Sequence, residues 1–305
     1  MKSKGILLSL FLICFFSLTI FAQTFHKIEG WPDSTNTKIQ QYLESSKAVQ
    51  DRKVAVFDCD GTILGQSPYY LSNEVMCNYA KNNCVGKDDL LSKNAVEHMY
   101  KYVNGKGNPM QPLETILTLS GISPQEAENI GWKLFQEKKY ADKVFPQMKQ
   151  LIANLKEYGF EVWAVTGAQE VVYQKICSDV FGIPRTRVIG AKTVIANGKI
   201  TNQFVPPLPE RAGKKHVIET FIKAQPMFVV GNSRGDLDML LYSKGMRIVV
   251  NPDSTEKATD PILKNQTLEN YCQEHGFTIV KCKDQRPAGV TYDCADFGIE
   301  TNPAN

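Results

Sequence analysis

Histidine and tryptophan are scarce, at four and three in 305 residues, and His26, His98, His216 and His275 are scattered rather than grouped. No cysteines at close spacing are accompanied by histidines, so a structural zinc site is not expected. Neither sign of charge dominates: 35 Lys and Arg stand against 32 Asp and Glu, a formal +3. That balance points to neither a nucleic acid nor an anionic membrane surface as a partner. Internal repeats and low-complexity tracts are missing as well. The apolar run from Ile6 to Phe21 is shorter than the ~20 residues that a spanning helix needs.

That run follows Lys2 and Lys4 and ends at the small residue Ala22, the pattern of a secretory signal over residues 1–22. The expected mature protein is periplasmic or secreted, keeps no stable membrane anchor and carries 3 − 2 = +1. Cys14 leaves with the signal, so seven of eight cysteines remain and at least one thiol is unpaired. Export permits bridges, and the candidates are Cys77 with Cys84 or a pair among Cys272, Cys282 and Cys294.

What is present is a strand–helix rhythm. A short amphipathic helix, 37–45, precedes the apolar strand 53–57, which stops at Asp58. Residues 67–144 read as three or four helices with no strand, at 69–82, 88–102 and 123–140. The last opens on Ser123-Pro124-Gln125-Glu126, a capping box with proline in the first turn. Helix 146–158, strand 161–165 and helix 169–181 follow, then a hairpin of 188–195 and 199–205 around Asn197-Gly198. Helix 213–222, strand 227–230, helix 235–242 and strand 247–250 complete an open parallel sheet. The tail from Thr267 holds one more helix and a strand at 277–281, with no assigned place.

In such a sheet, ligands sit beyond the carboxyl ends of the strands. The polar residues there are Asp58 and Asp60, Thr166, and Asn232 with Asp236, joined by Lys214 or Lys215 at a helix start. Two carboxylates two apart, a hydroxyl, an ammonium and a further polar pair suit a hard cation and a phosphoryl group. An EF-hand pattern is not present. Cys59, between the two aspartates, is expected to point into the core.

Asp58-Cys59-Asp60-Gly61-Thr62 after an apolar strand, Val165-Thr166-Gly167, a lysine beside Gly213 and Val230-Gly231-Asn232-Ser233-Arg234-Gly235-Asp236 resemble, in order, the four motifs of the haloacid dehalogenase-like superfamily. The resemblance covers residues 51–255. It implies a three-layer Rossmann-like α/β core over 23–66 and 145–265 and a small inserted helical cap over 67–144. Residues 266–305 remain an extension of unknown role. It further implies Asp58 as nucleophile, Asp60 as acid and base, and Thr166, Gly167 and Lys214 as phosphoryl-binding groups. Mg2+ would be held by Asp58, the Asp60 carbonyl, Asn232 and Asp236. Spacing from Gly213 favours Lys214, with Lys215 open. Many relatives carry aspartate where this chain has Asn232, whose amide brings no charge to the metal.

The helical insertion resembles the cap of phosphoserine phosphatase-like enzymes, and Gly30-Trp31-Pro32 resembles exported phosphorylcholine-type phosphatases. The implied substrate is a small soluble phosphate ester. Yet Ser67 stands where the phosphoserine-specific branch has glutamate, and residues 67–144 contain no arginine for a substrate carboxylate. Lys81, Lys87 and Lys93 are looser substitutes, lacking the bidentate fork. A phosphotransferase of the same superfamily, or a phosphate-binding protein of weak turnover, are the alternatives.

Overall fold

A computed structural model describes residues 23–106 and 111–304; the expected signal segment lies outside the described residues. After α1 (Asp33–Ser46), strand β1 (Val54–Phe57) is buried at all four positions. It lies between β2 (Glu161–Gln169) and β5 (Phe228–Gly231), parallel to both. Covered on both faces, it reads as an unbroken apolar run instead of an alternating one.

Between β1 and β2 the chain forms α2 (Leu71–Tyr79), α3 (Leu90–Asn104), α4 (Gln111–Leu117) and α5 (Pro124–Glu137), then α6 (Pro146–Glu157). The Ser123 hydroxyl accepts from the Glu126 N–H, which starts α5 where the capping sequence predicts. Helix α7 (Glu170–Phe181) ends at Gly182, whose φ is +62°. Then come β3 (Val188–Ala196) and β4 (Lys199–Val205), an antiparallel pair around Asn197-Gly198. Helix α8 (Ala212–Val217), α9 (Leu237–Tyr242), β6 (Met246–Val250), α10 (Leu268–Glu274) and β7 (Thr278–Val280) finish the core.

The strand order is β4-β3-β2-β1-β5-β6-β7, parallel except for β4. Ala55, Phe57, Phe228 and Val230 pack into one apolar layer with α1, α6 and α7; Val54, Val56 and Val229 pack into the other with α8, α9 and α10. This is the three-layer α/β arrangement the motifs imply.

Three expectations need correction. The core does not end at residue 265, because β7 pairs in parallel with β6 and α10 covers the sheet beside it. The strand pattern at 277–281 is too short to signal its neighbour. Strand β2 runs on past Val165 to Gln169, with a register shift against β3 that carries Thr166 and Gly167 over the site. Cys77 meets neither Cys84 nor a cysteine near it in sequence; its sulfur faces that of Cys294.

Candidate active site

Strand order reverses beside β1, since the chain builds outward through β2 and β3 and then returns to β5 on the other flank. Such a switch point opens a crevice at the carboxyl ends of the two strands. Asp58 follows β1 and donates its N–H to Val230 O at 3.0 Å, which fixes the two loops side by side. Gly61 makes the tight approach feasible. Its φ is +80°, and a Cβ there would lie 2.0 Å from Asn232 Nδ2.

The Lys214 ammonium lies between two carboxylates, 2.5 Å from Asp58 Oδ1 and 2.6 Å from Asp236 Oδ1, all three buried. Lys215 instead faces outward toward Glu219, so Lys214 is the lysine at the site. Two features bring it there. Arg211 holds a left-sided backbone, φ +51°, before α8, and Gly213 passes so close to Leu208 that a Cβ would stand 1.8 Å from its carbonyl oxygen.

Two buried carboxylates against one ammonium leave negative charge uncompensated. Burial and then the Asp236 charge push Asp58 up to about 7, against the pull of Lys214. Burial works against a charged Lys214, but Asp236 and Asp58 outweigh it and raise its pKa. The excess negative charge fits a cation beside Asp58. Thr62 Oγ1 donates to Asp58 Oδ2 at 2.9 Å and lies 3.3 Å from Asn232 Oδ1, so its hydroxyl holds a carboxylate and an amide oxygen side by side. Oxygen donors of this kind suit magnesium, which keeps several waters. Asp236, expected among the ligands, is hydrogen-bonded through both carboxylate oxygens. Its Oδ2 accepts from the N–H groups of Asn232 and Ser233 and from the Ser233 hydroxyl, and Oδ1 is taken by Lys214. Both oxygens are engaged in holding the lysine and the turn.

Asp60 is half-buried beside Tyr173, whose hydroxyl donates to Oδ2 at 2.6 Å, while the shielded Oδ1 has no partner. Burial pushes Asp60 up to about 6, against the Tyr173 hydrogen bond and the charge of Lys143. The folded chain therefore holds this proton to about pH 6, whereas the unfolded carboxyl releases it near its ordinary value. Stability falls as pH rises between the two, and the deficit, about 3 kcal/mol, is fully present at neutral pH. Asp60→Asn, free of that deficit, is expected to melt several degrees above wild type at pH 7 in chelator, with the gap closing toward pH 4. Thermal melts across that range check it; a lower or pH-independent midpoint would exclude an Asp60 strained by burial.

Thr166 is 2% exposed, its hydroxyl accepting from the Ala168 N–H, and it lines the cavity with Gly167. That cavity, of about 280 Å³, holds Asp58, Asp60, Lys214 and Asn232. Its opposite wall comes from the helical insertion: Tyr70, Ser72, Asn73, Tyr102 and Gln111. Lys81, Lys87 and Lys93 do not reach it; Lys81 pairs with Asp293 and Asp296, and Lys93 with Asp88. Lys214 is the one cation among its described lining residues, and Glu210, raised by burial, is an added carboxylate. Glu210, Gln66, Tyr70, Tyr102 and Tyr173 lie outside the motifs. Only Glu210, three residues before Gly213 and preceded by three prolines, had a positional signal; Tyr173 reads as one more apolar position of α7.

Comparison with solved structures supports the fold. A protein of unknown function from Bordetella pertussis Tohama I matches at TM-score 0.59 and 18% identity, over 76% of this chain and 99% of that one. One from Anaerococcus prevotii DSM 20548 matches at 0.60 and 14%, over 86% and 97%. Cytosolic 5'-nucleotidase IIIB bound to cytidine matches at 0.50 and 14%, over 86% and 89%. A search of curated proteins finds no match. The model of one family, described as haloacid dehalogenase-like hydrolase, matches residues 55–241. With that match spanning more than half of the sequence and the α/β core built around its four motifs, the chain belongs to the haloacid dehalogenase-like hydrolases.

Proposed function

We propose that the chain is a magnesium-dependent phosphomonoesterase that forms a phospho-aspartate on Asp58 and takes a small ester whose leaving group carries no carboxylate. The observation that carries the reaction is the buried Asp58–Lys214–Asp236 row facing a cavity that also holds Asp60 and Thr166. Asp58 attacks phosphorus, and Lys214 offsets charge as the phosphoryl group approaches. The unpartnered Oδ1 of Asp60 faces no competing hydrogen bond, so its proton can pass to the leaving oxygen. The resulting carboxylate then takes a proton from the water that cleaves the acyl phosphate. A pKa of about 6 suits a group that must serve in both states near neutral pH. Covalent catalysis thus divides one difficult displacement into two. Magnesium, when bound, supplies positive charge to the phosphoryl oxygens. Asp58, the Asp60 carbonyl and Asn232 would hold it, and Asp236 would act on it only through Lys214 and the turn.

The leaving-group side argues against phosphoserine, whose carboxylate would find Glu210 and neutral side chains instead of a cation. Tyr70 and Tyr102 with Glu210 favour a neutral or cationic group, in keeping with the phosphorylcholine-type resemblance. Steady-state release of phosphate from an aryl phosphate, then from phosphocholine, phosphoserine, a sugar phosphate and a nucleoside 5'-monophosphate, tests both parts. Turnover is expected to require magnesium, with kcat/KM for phosphocholine at least about tenfold above phosphoserine. Release from none of them would select the phosphate-binding reading.

A further inference from the structure

The C-terminal segment after β7 is fastened to the helical insertion and to the loop that enters it. Glu74, fully buried on α2, accepts from the Asp293 and Cys294 N–H groups at 2.8 and 3.1 Å. Asp293 accepts from Asn78 and Lys81, both at 2.8 Å. Tyr292 packs edge-on against Tyr69 and Tyr140. Asn302 donates to the carbonyls of Pro68 and Gln66, and Asp284 accepts from the Gln66 and Ser67 N–H groups. One turn along α2 from Glu74, within this contact, the Cys77 and Cys294 sulfurs lie 3.0 Å apart.

We propose that Cys77 and Cys294 are a disulfide site, closing the C-terminal strap onto α2 across 217 residues of sequence. The register of the strap is set by Glu74 and Tyr292, groups that owe nothing to sulfur, so the two thiols are brought face to face by the rest of the contact. The remaining gap, against an S–S bond of ~2.05 Å, closes with a small side-chain movement. Both sulfurs are buried, with no other thiol as near among the described residues; Cys59 and Cys177 are 4.0 Å apart. The step is thiol–disulfide exchange. Each cysteine loses its proton, one S–S bond forms between them, and the two electrons reduce a small-molecule disulfide to two thiols. Burial, then contact with Cys77, hold the Cys294 thiol well above its ordinary value, so little thiolate is present once the strap has docked. The bond therefore forms as the strap closes during folding, and afterwards resists reductants that do not unfold the protein.

The test is refolding of the reduced, denatured chain in a mixture of glutathione and its disulfide. Free thiols are then blocked in denaturant, and the digest is mapped by mass without reductant. The expected result is one cross-linked peptide pair containing Cys77 and Cys294, unaffected by Cys84→Ser. The oxidised protein should melt about 5 to 15 °C above the reduced one, and Cys294→Ala should erase that difference. A blocked Cys77, Cys77 joined to another cysteine, or a redox-dependent midpoint that survives in Cys294→Ala would overturn the assignment.

Discussion

Asp58→Asn is expected to lower kcat by about ten thousand-fold or more while leaving the protein folded. The substitution keeps shape and removes only the charge and nucleophilicity of one oxygen. The hydrogen-bonding pattern survives it. An amide oxygen facing Lys214 replaces Oδ1, and the Thr62 hydroxyl, which now donates to Oδ2, can turn its proton toward Asn232 Oδ1 and accept from the new amide. Electrostatics favours the variant in the absence of metal, because one carboxylate, Asp236, then faces one ammonium where two competed for it. Its melting point in chelator should thus equal or exceed that of wild type, which separates loss of chemistry from loss of fold. Rapid-quench trapping of an acid-stable, base-labile phosphoenzyme completes the measurement. A variant with more than about one-hundredth of wild-type kcat would remove Asp58 from the nucleophile's role.

The parts of this site that were legible in the sequence are those set by local rules. An apolar run ending at Asp58 reads as a buried parallel strand, and Gly61 after the second aspartate is demanded by the close approach of Asn232. Spacing from Gly213 favours Lys214 but leaves Lys215 open, because both lie at a helix start. The choice is made by burial between Asp58 and Asp236, contacts separated from Lys214 by 156 and 22 residues. Tyr173 is not legible, since what makes it part of the site is the face it turns to Asp60, and Glu210 offers only its position before Gly213, its place in the cavity being set by the fold. The tail's helix and strand are legible as elements, but their place in the fold is not, for a similar reason. Residues 278–280 make too short an apolar signal to place a strand, and the hold of Asn302 and Asp284 on the loop at Gln66 is made across more than two hundred residues. Asp236 shows both kinds of signal. Its contacts with Asn232 and Ser233 belong to a capping box that local spacing describes, whereas the hold of Lys214 on its other oxygen is made across 22 residues.

Lys214→Met is expected to act on stability and turnover together, because this ammonium is the partner of two buried carboxylates. Asp58 and Asp236 side chains are 7% and 1% exposed, so water cannot replace the lost charge. Breaking a buried pair by removing one partner costs about 3–5 kcal/mol, which for a chain of this size lowers the melting point by roughly 10 °C. The loss has a definite pH dependence. With the lysine gone, Asp58 in the folded chain rises further above its ordinary value and keeps a proton that the unfolded chain releases. The deficit therefore grows as pH rises from the ordinary carboxyl range toward neutrality, and narrows in acid. Turnover should fall about a hundred- to a thousandfold, the scale of one lost charge-stabilising contact to a transition state. Lys215→Met supplies the comparison. Its ammonium stands 3.7 Å from Glu219, with both side chains 41% exposed, and such a surface pair contributes at most a few tenths of a kcal/mol. Melts from pH 4 to 8 and kcat for both variants decide the matter. Equal effects at the two positions, or a Lys214→Met deficit that does not change with pH, would mean that the buried row of Asp58, Lys214 and Asp236 is not the electrostatic unit its distances describe.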